Sequence, residues 1–195
     1  MISKNLIRKQ ALEIRKSFSP SFVESVNLSV SRNCIDFILS QSFEEYLLYC
    51  SRGIEISTDS LTGFLLSNSK KVYFPKCFID GVMNFYRVGN TVELIPGMFG
   101  ILEPDGNSEL FETNSSALLI VPALTVTPKG FRIGWGGGYY DRFLANHNVV
   151  SAALCCDENI IESFEIESTD YPVDFIITQS GVYSTNARKE VMRNE

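Results

Sequence analysis

The chain has 195 residues, 45% of them hydrophobic and 21% charged, with a formal net charge of −6. That composition supports one domain, spanning 1–195, with a core large enough to offset chain ordering, and it excludes a largely disordered polypeptide. The acidic balance argues against a nucleic-acid surface, and no run of about 18 apolar residues offers a membrane span.

Met1–Arg15 is charged throughout and lacks the apolar centre of a signal peptide. The five cysteines, Cys34, Cys50, Cys77, Cys155 and Cys156, are odd in number, lack CxxC spacing and sit in apolar contexts. They read as buried reduced thiols in a cytoplasmic protein.

In chain order, Ser3 is placed to cap a first helix. Ile7, Ala11, Ile14 and Phe18 follow helical spacing and form its expected buried stripe, while Lys4, Arg8 and Arg15 fall on a different, basic face. Ser19-Pro20 stops that helix and starts a second, whose apolar face is Val23, Val26, Val30, Cys34 and Phe37. Tyr46–Cys50 reads as a strand. Thr58 or Asp59 can cap a helix carrying Leu61, Phe64 and Leu65. Lys71–Phe74 reads as a strand that Pro75 ends, and Val82–Val88 as another. Gly89–Ser116 carries the Gly, Pro, Asn and Ser of loops and an edge hairpin.

Leu118–Val121 is apolar at every position, as a sheet centre buried on both faces requires. A glycine-rich turn, a helix over Tyr139–Asn146, and strands at Val149–Cys155 and Phe175–Thr178 follow. Alternating helix and strand predicts a single α/β domain of three layers, with a mainly parallel central sheet flanked by helices.

The chemistry concentrates in Arg132-Ile133-Gly134-Trp135-Gly136-Gly137-Gly138-Tyr139-Tyr140-Asp141-Arg142-Phe143-Leu144. Glycines without Cβ atoms allow main-chain N–H groups to converge on an anion. A helix starting near Tyr139 adds the positive end of its dipole. Arg132 can supply a bidentate phosphate contact, and Asp141 is a hard oxygen ligand suited to magnesium. The dinucleotide fingerprint GxGxxG fails here because Tyr139 occupies the sixth position, and no Walker Gly-Lys-Ser/Thr occurs.

The run RIGWGGGYYDRFL resembles the RLGxGxGYYDRxL signature of the 5-formyltetrahydrofolate cyclo-ligase family, also called methenyltetrahydrofolate synthetases. The resemblance extends along most of the chain. Lys4-Asn5-Leu6-Ile7-Arg8 is similar to the family's KxxLR, with Arg15 where a second arginine is usual. Glu55-Ile56-Ser57-Thr58, Tyr73-Phe74-Pro75-Lys76, Met83-Asn84-Phe85, Ile101-Leu102-Glu103-Pro104, Val121-Pro122 and Tyr171–Thr178 resemble further family elements. Ser57 departs from an acidic residue, and Val126-Thr127 stands where Phe-Asp is frequent. Gly137 occupies a position that is lysine in some members.

The resemblance implies ATP-dependent closure of 5-formyltetrahydrofolate to 5,10-methenyltetrahydrofolate, with ADP and phosphate released. The formyl oxygen is phosphorylated, and a neighbouring folate nitrogen displaces phosphate as the ring closes. It implies ATP contact by Lys4, Arg8, Arg132, Gly134, Trp135, Gly136, Gly137, Gly138, Tyr139 and Tyr140. Folate contact falls to Glu55, Met83, Phe85, Trp135 and Tyr140. Magnesium falls to Asp141, with Asp174 as a candidate second ligand. The implied partners are the small molecules ATP and 5-formyltetrahydrofolate, with no nucleic acid and no membrane; oligomeric state stays open. Two other readings compete: an inactive or weakly active ATP-binding paralogue acting through a partner, and a sugar-phosphate enzyme on a similar sheet.

Overall fold

The structure, a computed structural model, describes residues 3–186. It begins with α1 (Lys4–Lys16) and α2 (Pro20–Leu39), followed by β1 (Glu45–Leu47), α3 (Asp59–Ser67), β2 (Lys71–Cys77) and β3 (Met83–Arg87). A small hairpin, β4 (Ile95–Pro96) and β5 (Leu102–Glu103), precedes β6 (Ala117–Pro122). A second hairpin, β7 (Thr125–Val126) and β8 (Arg132–Ile133), leads into α4 (Tyr139–Asn146). The chain then forms β9 (Val150–Leu154), β10 (Phe175–Thr178) and β11 (Gly181–Ser184).

Seven strands make the central sheet in the order β11-β10-β9-β6-β1-β2-β3. The five inner strands pair in parallel, and the two edges, β3 and β11, pair antiparallel. Side chains alternate between the two faces, as a strand period of two demands. Tyr46, Val72, Leu118, Ile120, Ala152 and Ile177 meet α2 and α3 on one face. Leu47, Tyr73, Leu119, Val121, Ala153 and Ile176 meet Phe143 and Leu144 of α4 on the other. This is the expected three-layer α/β arrangement with a mainly parallel sheet.

Two helix starts follow the sequence reading: the Ser3 and Ser19 hydroxyls accept the N–H groups of Leu6 and Phe22. At α3 the cap differs. The Thr58 hydroxyl donates to the Tyr49 carbonyl, and the Ser57 hydroxyl accepts the Asp59 N–H instead. Pro75 does not end its strand, because β2 continues to Cys77. The Leu48 N–H to Tyr73 carbonyl bond is the last toward β1, so the donor that proline lacks has no partner strand to face.

The buried stripe of α1 is the largest departure. Ile7, Ala11 and Arg15 are buried, while Ile14 is 39% exposed. This helix crosses the carboxyl ends of the strands rather than an apolar sheet face, so it must satisfy main-chain oxygens there. The Arg15 guanidinium, 4% exposed, donates to the carbonyls of Ala123 at 2.6 Å and Ile54 at 3.0 Å, and to Asn159 Oδ1 at 3.3 Å. It therefore leaves the basic face on which sequence spacing put it.

Arg15→Ala strips donors from two carbonyls and leaves a cavity. The expected loss is about 3 kcal/mol, read as a lower urea midpoint at unchanged slope. A loss under about 1 kcal/mol would show that α1 docks without this residue.

Candidate active site

The strands and helices bring one end of the molecule into focus: the carboxyl ends of β1, β2 and β6. Gly134–Gly138 starts beside the end of β6, and the position of a Gly134 Cβ would lie 4.0 Å from the Pro122 carbonyl. Gly136 has φ +99° and Gly138, the residue before α4, has φ +68°, conformations that side chains other than glycine resist. A Cβ on Gly137 would stand 2.9 Å from the Tyr139 ring. Arg8 Nε donates to the Gly134 carbonyl at 2.8 Å, and an Arg142 Nη donates to the Gly137 carbonyl at 2.7 Å. The loop is thus fixed at both ends by guanidinium groups.

Behind the loop lies Arg132, 8% exposed. One Nη donates to Asp141 Oδ1 at 3.1 Å and to the Tyr171 carbonyl at 2.9 Å. The same Asp141 oxygen accepts the Tyr171 N–H at 3.1 Å. Asp141 is in the first turn of α4, where the helix dipole favours a negative charge. On the neighbouring segment, Asp170 takes the Lys4 ammonium with both oxygens at 2.6 Å, and Glu167 adds a contact at 3.2 Å. Burial opposes the Lys4 charge, but the bonds to Asp170 and Glu167 prevail and raise its pKa.

Across the loop, the Trp135 indole N–H donates to Glu55 Oε1 at 2.7 Å. The other Glu55 oxygen accepts the Arg52 N–H at 2.7 Å. The Arg52 guanidinium reaches the Phe99 carbonyl. Phe99 holds φ +59°, is 59% exposed and meets the Tyr139 ring edge-on. The Tyr139 hydroxyl donates to the Phe78 carbonyl. Burial pushes the Tyr140 phenol well above its ordinary pKa, and the Glu55 charge adds to this.

Arg8, Glu55, Trp135 and Tyr139 therefore touch the Gly134–Gly138 loop or a residue of it, Arg132 and Asp141 are paired at its two ends, Lys4 joins through Asp170 beside Tyr171, and Tyr140 packs against the core clusters next to them. Met83 and Phe85 are 5% and 1% exposed, and Phe85 packs on Phe143, so both back the wall from within the core. Asp174 is elsewhere: its carboxylate accepts the Ser151 N–H and hydroxyl at the amino ends of β9 and β10, opposite the loop. Among the described residues, no three Asp, Glu, His or Cys side chains group as a ready metal cage. Burial raises the thiol pKa of Cys34 and Cys50 to about 12 and of Cys77 to about 11, which does not support a thiolate nucleophile. Cys50 and Cys77 are half-buried rather than fully buried.

A profile of the 5-formyltetrahydrofolate cyclo-ligase family matches residues 1–179. The chain belongs to that family.

Similar proteins include a probable 5-formyltetrahydrofolate cyclo-ligase of Schizosaccharomyces pombe, 25% identical over 93% of this chain and 97% of that one. A 5-formyltetrahydrofolate cyclo-ligase of Haemophilus influenzae is 28% identical over 86% of this chain and 92% of its own. Among solved structures, the 5,10-methenyltetrahydrofolate synthetase of Aquifex aeolicus superposes with a TM-score of 0.82 at 25% identity, covering 94% of this chain and 93% of that one. The synthetase of Mycoplasma pneumoniae, 21% identical, shares the fold with a TM-score of 0.74, covering 91% and 99%.

Four residues in contact with this group of site residues carry no role in the sequence reading. Arg142 lies inside the glycine signature, where its charge beside the loop was a usable signal. Asp170, Arg52 and Phe99 sit in irregular segments whose approach only tertiary structure creates. Among the described residues, no helix is long and apolar enough to cross a membrane.

Burial raises the Glu55 pKa above the usual glutamate range, against the Trp135 and Arg52 bonds that lower it. The folded chain binds this proton more tightly than the unfolded chain. The group therefore adds stability below its ordinary pKa and loses that contribution as pH rises through the raised value. Trp135 is the single tryptophan in the chain. Its emission should titrate with a midpoint above the usual glutamate range, and Glu55→Gln should abolish that transition. A transition surviving in Glu55→Gln would detach the indole from this carboxylate.

Proposed function

We propose that the chain closes 5-formyltetrahydrofolate to 5,10-methenyltetrahydrofolate, driven by hydrolysis of ATP to ADP and phosphate. The observation that carries this reading is the junction of two kinds of site through one loop. A glycine cradle with Arg8 on its first carbonyl and Asp141 in the helix turn that follows it abuts a carboxylate, Glu55, that is set to accept N–H groups.

The chemistry suits these parts. A formyl oxygen is a poor leaving group, so it must first be phosphorylated. Its lone pair attacks the γ-phosphorus and the bond to ADP breaks. The adjacent folate nitrogen then adds to the activated carbon, a proton leaves that nitrogen, and phosphate departs with the former formyl oxygen. No covalent protein intermediate is needed. The protein holds two substrates in line and neutralises charge on the moving group.

The roles follow from placement. N–H groups of Gly134–Gly138 and the start of α4 face the phosphates, with Trp135, Tyr139 and Tyr140 on either side. Arg8 and Lys4 supply positive charge from α1. Arg132, buried behind the loop, holds Asp141 and reaches phosphate through that carboxylate's orientation. Glu55 takes the amino edge of the pterin, whose paired donors match a carboxylate. Met83 and Phe85 support the folate wall.

A magnesium ion fits the donor set at Asp141, because this ion is held by one or two carboxylates together with substrate phosphates and water rather than by an all-protein cage. Bound there it would offset charge on the phosphate oxygens. Asp170, bound to Lys4 and adjacent in the chain to Tyr171, whose N–H meets Asp141, suits that assisting role better than Asp174. The enzyme works on small molecules in this reading, in a cytoplasmic setting.

Purified protein given 5-formyltetrahydrofolate and MgATP should develop methenyl absorbance. Asp141→Ala should lower kcat about 100-fold or more, as loss of a charge-positioning group in phosphoryl transfer does. Lys4→Ala and Arg8→Ala should each raise the KM for ATP about tenfold while moving the folate KM little. Folded wild-type protein without turnover would overturn the assignment.

A further inference from the structure

Both oxygens of the Glu55 carboxylate accept N–H groups of the chain itself. One oxygen accepts the Trp135 indole N–H and the other accepts the Arg52 main-chain N–H, each at 2.7 Å. Two adjacent N–H donors on one carboxylate are also what the amino-bearing edge of a pterin presents. Trp135 is an unusual donor for this purpose. It is 54% exposed, and its N–H bond to Glu55 anchors the ring.

The placement of that bond within the loop matters. Arg8 holds the Gly134 carbonyl and Arg142 holds the Gly137 carbonyl. Between these two pins lie Trp135 and Gly136, and Gly136 is at φ +99°. If the indole leaves Glu55, the peptide planes flanking Gly136 can turn without a Cβ penalty. The middle of the phosphate cradle is therefore held in shape by a side chain anchored in the folate site.

We propose that Trp135 is an internal stand-in for the folate ring: it occupies Glu55 until the pterin edge takes its place, and its release reshapes the middle of the glycine loop. This rests on the reading that Glu55 binds the pterin. It makes folate affinity a competition, since the pterin binds only the fraction of molecules in which the indole has let go. It also links the two substrates, because any effect of folate on the loop returns as an equal effect of nucleotide on folate affinity. Trp135 fills a variable position of the glycine signature, so the device belongs to this chain and to relatives carrying a side-chain donor there.

Calorimetric titration with 5-formyltetrahydrofolate, without nucleotide, tests it on wild-type and Trp135→Phe proteins. Phenylalanine keeps a ring but lacks the donor. Folate should bind the variant about tenfold more tightly, the size expected when one hydrogen bond to a charged group no longer competes. In wild-type protein, folate should shift the Trp135 emission toward that of ligand-free Glu55→Ala, and ATP alone should not. Equal or weaker folate binding by Trp135→Phe overturns the stand-in, as does an emission unmoved by folate. No folate binding by folded wild-type protein would instead sink the reading of the site itself.

Discussion

Guanidinium groups capping main-chain carbonyls hold this end of the molecule together. Arg8 takes Gly134, Arg15 takes Ala123 and Ile54, Arg52 takes Phe99, Arg132 takes Tyr171, and Arg142 takes Gly137 and Gly81. In a trans peptide the C=O and the following N–H point in opposite directions. A carbonyl drawn toward Arg8 therefore turns the Trp135 N–H away from Arg8, and one drawn toward Arg142 does the same to the Gly138 N–H. Glycines that would otherwise sample many conformations are thereby ordered with their donors turned outward. The anion-binding character proposed for the loop depends on arginines outside it as much as on the glycines within it.

This dependence explains the position of α1. A helix resting on an apolar sheet face needs an apolar stripe. A helix resting on strand ends needs donors, and Arg15 supplies them at 4% exposure where an isoleucine one residue earlier would leave carbonyls unsatisfied. With Arg15 fixing the carboxyl end of the helix and Ile7 packing on Ile133 and Phe164, the first turns are aimed so that Arg8 meets the loop and Lys4 meets Asp170.

Much of the fold was legible because parallel strands buried on both faces read as unbroken apolar runs: Leu118–Val121 lies inside β6, and Phe175–Thr178 matches β10 residue for residue. The helix read after the glycine-rich turn, Tyr139–Asn146, coincides with α4. The reading failed where long-range partners decide. Local pattern made Arg15 solvent-facing and Ile14 buried, because nothing local says that the helix faces carbonyls. Pro75 looked like a stop because sequence does not reveal that β1 has already ended there. The hairpin of β7 and β8 has two-residue strands, too short for any period to register. In the site, the glycine signature announced itself through composition. Asp170 did not, since its value comes from the approach of Lys4 across 166 positions. Asp174 looked equivalent by residue type but lies at the opposite ends of the strands.

The charged groups of this site are bound to one another. Lys4 rests on Asp170 and Glu167, Asp141 on Arg132, and Glu55 on an indole and a main-chain N–H. This internal pairing limits the cost of holding isolated charges partly out of water in a chain whose net charge, −6, would otherwise repel two anionic substrates. It also sets a selection rule for the proposed reaction. A ligand gains only what its contacts exceed those they displace, so a molecule lacking the pterin donors or the terminal phosphates meets a site whose own groups already satisfy each other. Discrimination then arises from replacement: the substrates must match, group for group, the partners that the protein keeps in their absence.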